Sequence, residues 1–163
     1  MRRVFGLLFL AVLVLVSLPA LADDEDLPGT EKSKWGLRVG LGTSPDQIIA
    51  GAQFLETPIA NNLYLVPSAE IGVGDDHWIV SATAPFHYRF RTKAKIRPYA
   101  GGGVTIGFDR KTQGSKNDTN TEIALRATGG VIFRLKGGRE MFGELNLVFG
   151  DLNDLQAMVG WRF

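Results

Sequence analysis

From Trp35 onward, apolar and non-apolar residues alternate with a period of two, and no stretch sustains the 3.6-residue period of an amphipathic helix. Turn-forming residues divide this region into eight runs: 34–43, 47–55, 62–74, 77–91, 96–108, 121–135, 140–150 and 155–163. The breaks between them are 44–46, 56–61, 75–76, 92–95, 109–120, 136–139 and 151–154, of which the polar stretch 109–120 is the longest. The pattern predicts an all-β chain whose eight antiparallel strands close into an up-and-down barrel. Eight is an even number, so both ends of the meander fall on one side.

Alternate positions separate into two faces. One carries Trp35, Leu37, Val39 and Leu41 in the first run and Leu155, Ala157, Val159, Trp161 and Phe163 in the last. Across all eight runs this face has 45 positions and none is charged, although 21% of the chain is. The opposite face holds Arg38, Gln53, Glu70, His87, Arg89, Arg97, Tyr99, Glu122, Arg126, Arg134, Glu144, Asn146, Gln156 and Arg162, with glycines at many intervening places. Its charges are Arg and Glu only, while the lysines beyond the lead-in fall in turns or at the start of a run. Guanidinium groups pair bidentately with carboxylates and tolerate burial better than the strongly hydrated ammonium. The polar face is therefore expected to be enclosed.

Composition narrows the setting. Arg2 and Arg3 precede an apolar run from Phe5 to Leu18, and Pro19 and Ala20-Leu21-Ala22 complete the pattern of a cleavable signal peptide over residues 1–22. The apolar run is shorter than the roughly 20 residues a spanning helix needs. Residues 23–33 open with four acidic residues and contain Pro and Gly, which predicts a flexible acidic lead-in before a barrel domain over 34–163. Cleavage would remove two of the 18 basic residues, leaving 16 against 17 acidic ones. That balance speaks against nucleic acid as a partner. The chain has no cysteine, so an exported domain of this size needs a source of order other than disulfides.

An apolar face of this kind can turn inward around a ligand, as in soluble carriers, or outward to lipid. The aromatics of that face decide for lipid. Trp35, Phe54, Tyr88, Phe90, Phe133, Trp161 and Phe163 fall near the side of the termini, and Trp78, Phe108 and Phe149 near the other. Two such girdles are what the two membrane interfaces select.

The final run, "LQAMVGWRF", resembles the C-terminal recognition signal of bacterial outer-membrane β-barrels, with Gln156 at its polar position and Trp161 and Phe163 at its two aromatic ones. Met158 stands where that signal usually has glycine. The segment "RPYAGGGVTIGF", 97–108, is similar to the fifth strand of small barrels of the OmpA/OmpX type. The resemblance implies an outer-membrane protein read by the barrel-assembly machinery and embedded in outer-membrane lipid and lipopolysaccharide. It also implies periplasmic termini, with 44–46, 75–76, 109–120 and 151–154 on the outside.

Chemistry is sparse. An eight-stranded lumen is just wide enough for its own side chains, so Arg38, Arg89, Arg97, Arg126, Arg134 and Arg162 are expected to pair with Glu70, Glu122 and Glu144 in a closed interior that also holds His87. A narrow porin-like pore is the alternative, because Arg outnumbers Glu there. Lipid A deacylases of this size carry a His-x-Ser pair, whereas His77 and His87 are followed two residues later by Ile79 and Arg89. A lipid A-modifying enzyme and a soluble lipocalin-like carrier are the further alternatives. Asp75, Asp76, Asp151 and Asp154 lack calcium-loop spacing and read as solvated turns. The expectation is a monomeric, non-enzymatic barrel with a structural or surface-binding role, without cofactor or metal.

Overall fold

The computed structural model describes residues 35–163 except 45, 55, 75–76, 93–95, 114–115, 136–137, 151 and 153, and of 110–119 only the backbone. The expected signal peptide, 1–22, and lead-in, 23–33, lie outside the described residues. The strands are β1 Gly36–Thr43, β2 Asp46–Gln53, β3 Thr57–Ala60, β4 Leu63–Leu65, β5 Ser68–Gly74, β6 His77–Arg89, β7 Ile96–Gln113, β8 Lys116–Arg134, β9 Glu140–Gly150 and β10 Asp154–Arg162.

These ten segments build eight walls. β2 and β3 are two parts of the second wall, and β4 and β5 two parts of the third, because both β4 and β5 pair with β6. Every neighbouring pair is antiparallel, and β1 pairs with β10 through Gly36↔Arg162 to Gly42↔Gln156. With β6 on β7, the ladder closes on itself. At the seam Phe163 N–H donates to Trp35 O at 2.9 Å, and their rings lie 5.0 Å apart.

The third wall breaks at Val66-Pro67, where proline lacks a donor. Hydrogen bonds bridge the break: Phe54 N–H donates to Pro67 O at 2.8 Å and Val66 N–H to Pro85 O at 2.9 Å. The third wall is therefore interrupted there but stays hydrogen-bonded to both neighbours.

Strand parity sets the faces. None of the 45 apolar positions is buried, and twenty-four large apolar side chains point outward from the barrel. Arg38, Glu70, Arg126, Glu144 and Arg162 point inward and are buried. This is the alternation that the sequence predicts, with the apolar side outermost.

Three expectations need correction. Segment 109–120 is not an irregular loop: β7 and β8 continue as a paired hairpin from Asp109↔Asn120 to Gln113↔Lys116. Past Lys111, where pairing with β6 ends, the hairpin is no longer part of the wall and needs no apolar face, so period-two hydrophobicity fades before the strands end. Segment 56–61 is not all turn either. Residues 57–60 form β3, paired with β4, and the reversal falls at Asn61-Asn62. Asp154 is the first residue of β10 and is buried inside, not solvated in a turn.

Asn62 makes that reversal with φ at 63°, a left-handed conformation that Asn tolerates and β-branched residues do not. Asn62→Val should lower unfolding stability by about 1–2 kcal/mol, and Asn62→Gly should leave it within about 0.5 kcal/mol. Urea titration of the folded barrel, followed by circular dichroism, measures both.

Candidate functional site

The lumen is the one place where the described charges converge. Glu70 on β5 faces Arg126 on β8 across the barrel, and Arg126 donates through both terminal nitrogens at 2.9 and 2.8 Å. Arg38 on β1 reaches Glu70 Oε1 at 3.2 Å, Glu144 on β9 at 2.9 Å and Gln53 Oε1 at 3.0 Å. Glu144 also accepts from Tyr99 Oη at 2.7 Å and Asn146 Nδ2 at 3.1 Å. Thr128 Oγ1 lies 2.6 Å from Asn146 Oδ1 and donates to it. Carboxylates taken out of water need partners at most of their lone pairs. Glu70 and Glu144 have them.

A second cluster sits nearer the termini. Glu56 pairs with both Arg89 and Arg162, and Arg162 Nη1 reaches Glu140 at 3.2 Å. Gln53 links the clusters, because its Nε2 donates to Glu56 at 2.6 Å while its Oε1 accepts from Arg38. The Phe142 ring lies between two guanidinium groups, with Arg38 5.6 Å and Arg162 5.5 Å from its centroid. Arg89 covers the Tyr64 ring at 4.0 Å. Such contacts add attraction where water is excluded.

Close packing depends on missing side chains in the wall. A Cβ on Gly160 would lie 2.3 Å from Phe142 Cζ, and one on Gly130 would lie 2.5 Å from Tyr99 Cζ. Neither ring could hold its place against alanine.

The ten residues expected in the interior all lie on the inward face. Arg38, Glu70, Arg89, Arg126, Glu144 and Arg162 join the two clusters, while Arg97, Glu122 and Arg134 are half-buried. His87 is buried and stacks on Tyr99 with centroids 4.9 Å apart, and neither ring nitrogen has a hydrogen-bond partner in the protein. The expected assembly residues divide by parity: Gln156 is buried inside, whereas Trp161 and Phe163 face out. The aromatics Trp35, Phe54, Trp78, Tyr88, Phe90, Phe108 and Phe149 are exposed on the outer surface and Phe133 is half-exposed there.

Four interior carboxylates lie outside the expected set: Glu56, Asp109, Glu140 and Asp154, Asp109 falling within the stretch expected to be a polar loop. Continuing the inward parity from Glu144 and Gln156 by one or two steps finds Glu140 and Asp154. It does not find Glu56, because the phase shifts between inward Gln53 and inward Glu56. The interior is also less polar than the expected set implies: Ile49, Val66, Ile79, Ile132, Phe142, Val148 and Met158 are buried inside.

With this geometry the chain is similar in fold to bacterial outer-membrane eight-stranded barrels. The N-terminal β-barrel domain of Pseudomonas aeruginosa OprF superposes with a TM-score of 0.63 at 12% identity, covering 81% of this chain and 97% of that one. Neisserial surface protein A gives 0.63 at 16% identity, covering 79% and 93%. The outer membrane enzyme PagL gives 0.51 at 14% identity, covering 80% and 99%. No protein-family model matches the sequence, and no curated protein matches it in sequence. The chain therefore has the fold of an outer-membrane barrel.

Glu70→Ala leaves Arg126 and Arg38 buried with a lost partner and should cost about 3–5 kcal/mol of unfolding free energy. His87→Phe keeps the stack on Tyr99 and removes two unsatisfied nitrogens, so its stability should equal or exceed that of the parent protein by up to about 1 kcal/mol. Tryptophan fluorescence during urea unfolding in lipid vesicles reads both changes.

Proposed function

We propose that the protein is a monomeric resident of the bacterial outer membrane, exported by its N-terminal signal peptide, whose barrel has a structural or surface-binding role and no catalytic one. One observation carries this reading: the barrel is inside out relative to a water-soluble one. Its ion pairs are sealed within and its large apolar side chains cover the outside. Monomeric soluble proteins rarely expose apolar patches beyond a few hundred Å², so a continuous belt of this kind points to hydrocarbon. An eleven-residue strand such as β9 runs about 37 Å and, tilted near 45°, rises about 26 Å, close to the apolar band of such barrels.

In this reading the termini are periplasmic and the β7–β8 hairpin is presented at the cell surface. Trp161 and Phe163 serve the assembly machinery, while the outward aromatics meet the headgroups of outer-membrane lipid and lipopolysaccharide. The lumen favours a closed barrel over a pore, since Arg126–Glu70 spans it and Arg38 ties β1 to both β5 and β9. The absence of catalysis is supported by the histidines. His87 packs on Tyr99, and His77 stands four residues from Ser81 along β6, about 13 Å away. A carrier would need an apolar lumen, the reverse of this one.

Reconstituted into planar bilayers, the protein should give no discrete conductance steps; a regular unitary current would replace this reading with the pore. Leu145→Arg, on the outer wall at mid-strand, should lower stability in lipid vesicles by about 2–4 kcal/mol. Equilibrium unfolding in those vesicles gives the value, and an unchanged midpoint would argue against lipid at that face.

A further inference from the structure

The two clusters in the lumen balance. Arg38, Arg89, Arg126 and Arg162 pair with Glu56, Glu70, Glu140 and Glu144. Asp154 stands outside this balance. It is 9% exposed, and its partners are all neutral N–H donors: Thr43 N at 2.8 Å, Ser44 N at 3.0 Å, Gln47 Nε2 at 2.9 Å and Gln156 Nε2 at 3.0 Å. These bonds fix the carboxylate in place without neutralising it.

Asp154 borders a cavity at the end of the lumen opposite the termini, which Ser44, Gln47, Ser81, Thr105 and Gln156 also line. Its volume is about 30 Å³, room for one or two particles the size of water. Leu152, which precedes β10, also lines it and approaches β7: a Cβ on Gly107 would lie 2.6 Å from Leu152 Cδ1. Gln156 is 7% exposed, and its Oε1 is buried with no partner in the protein. Its Nε2 is committed to Asp154, so the amide is held with its oxygen free to accept.

We propose that this cavity binds a small monovalent cation, an alkali ion or ammonium, held by Gln156 Oε1 and neighbouring hydroxyls in the field of Asp154. An orphaned amide oxygen, by itself, would be served by water. Asp154, held by four neutral donors and without an ion-pair partner among the described residues, favours a positive ion there over a neutral molecule, which would leave its charge unbalanced. Arg126 also lines the cavity, but both its terminal nitrogens are engaged with Glu70, so that pair adds no net charge. A water carried in with the cation has an acceptor lone pair for the Nε–H of Arg126, which lacks a partner in the protein. Oxygen donors of this kind suit hard ions. Among the described residues no group of three His, Cys, Asp or Glu could hold a metal ion, and this weighs against the six to eight oxygens of a calcium site.

The inference rests on the fold and not on membrane residence, so it is tested with the folded full-length protein in detergent. Thermal midpoints are compared in sodium, potassium, ammonium and N-methylglucamine chlorides at one ionic strength, the last cation being too large for the cavity. At least one small cation should raise the midpoint saturably, by about 3 °C, over N-methylglucamine. Asp154→Asn keeps an acceptor for the backbone donors and should abolish the difference. Gln156→Leu removes the orphaned oxygen and should do the same, which covers the case in which the Asp154 variant does not fold. Equal midpoints in all four salts overturn the proposal, as does a cation response that survives in either variant.

Discussion

A closed ladder of backbone hydrogen bonds is the constraint on which the rest of this structure depends. Once β1 pairs with β10 the ladder is closed, only the short β3 being paired on one side among the described residues, and every residue of the wall must face either in or out. Closure permits the outer face to be wholly apolar, because the backbone asks nothing of its surroundings. It also creates an interior that no neighbouring element can fill. The side chains of the eight walls must fill it themselves.

The lumen meets that demand with charges in pairs and apolar groups between them. Guanidinium groups reach across the barrel with several donors each: Arg38 Nη1 donates to both Glu70 and Glu144 while its Nη2 donates to Gln53. Phe142 and Tyr64 give the same cations a π face. The interior thus mixes paired charges with apolar side chains packed among them. Breaking one pair leaves a buried charge without its partner, which makes the network costly to disrupt.

Much of this was legible along the chain. Parity put Leu145 and Phe149 on one face and Arg126 and Glu144 on the other, since successive strand residues point to opposite faces, and the aromatic girdles set the first face outward. Parity carries no information on depth or on which strand lies across the lumen. Hence Glu70 and Arg126, 56 residues apart, could be placed on the same side but not matched. Glu56 escaped because an irregularity in the second wall shifts the phase between it and Gln53. The β7–β8 hairpin escaped because beyond the belt its residues are polar on both faces.

What the chain determined by itself was the class of fold, the number of walls and the face on which each strand residue lies. Those follow from local geometry repeated every two residues. The tertiary structure alone decided the partners of each charge, the break in the third wall at Val66-Pro67 and the cavity beside Asp154. These depend on register and stagger, which close the ladder over distances that no local pattern encodes.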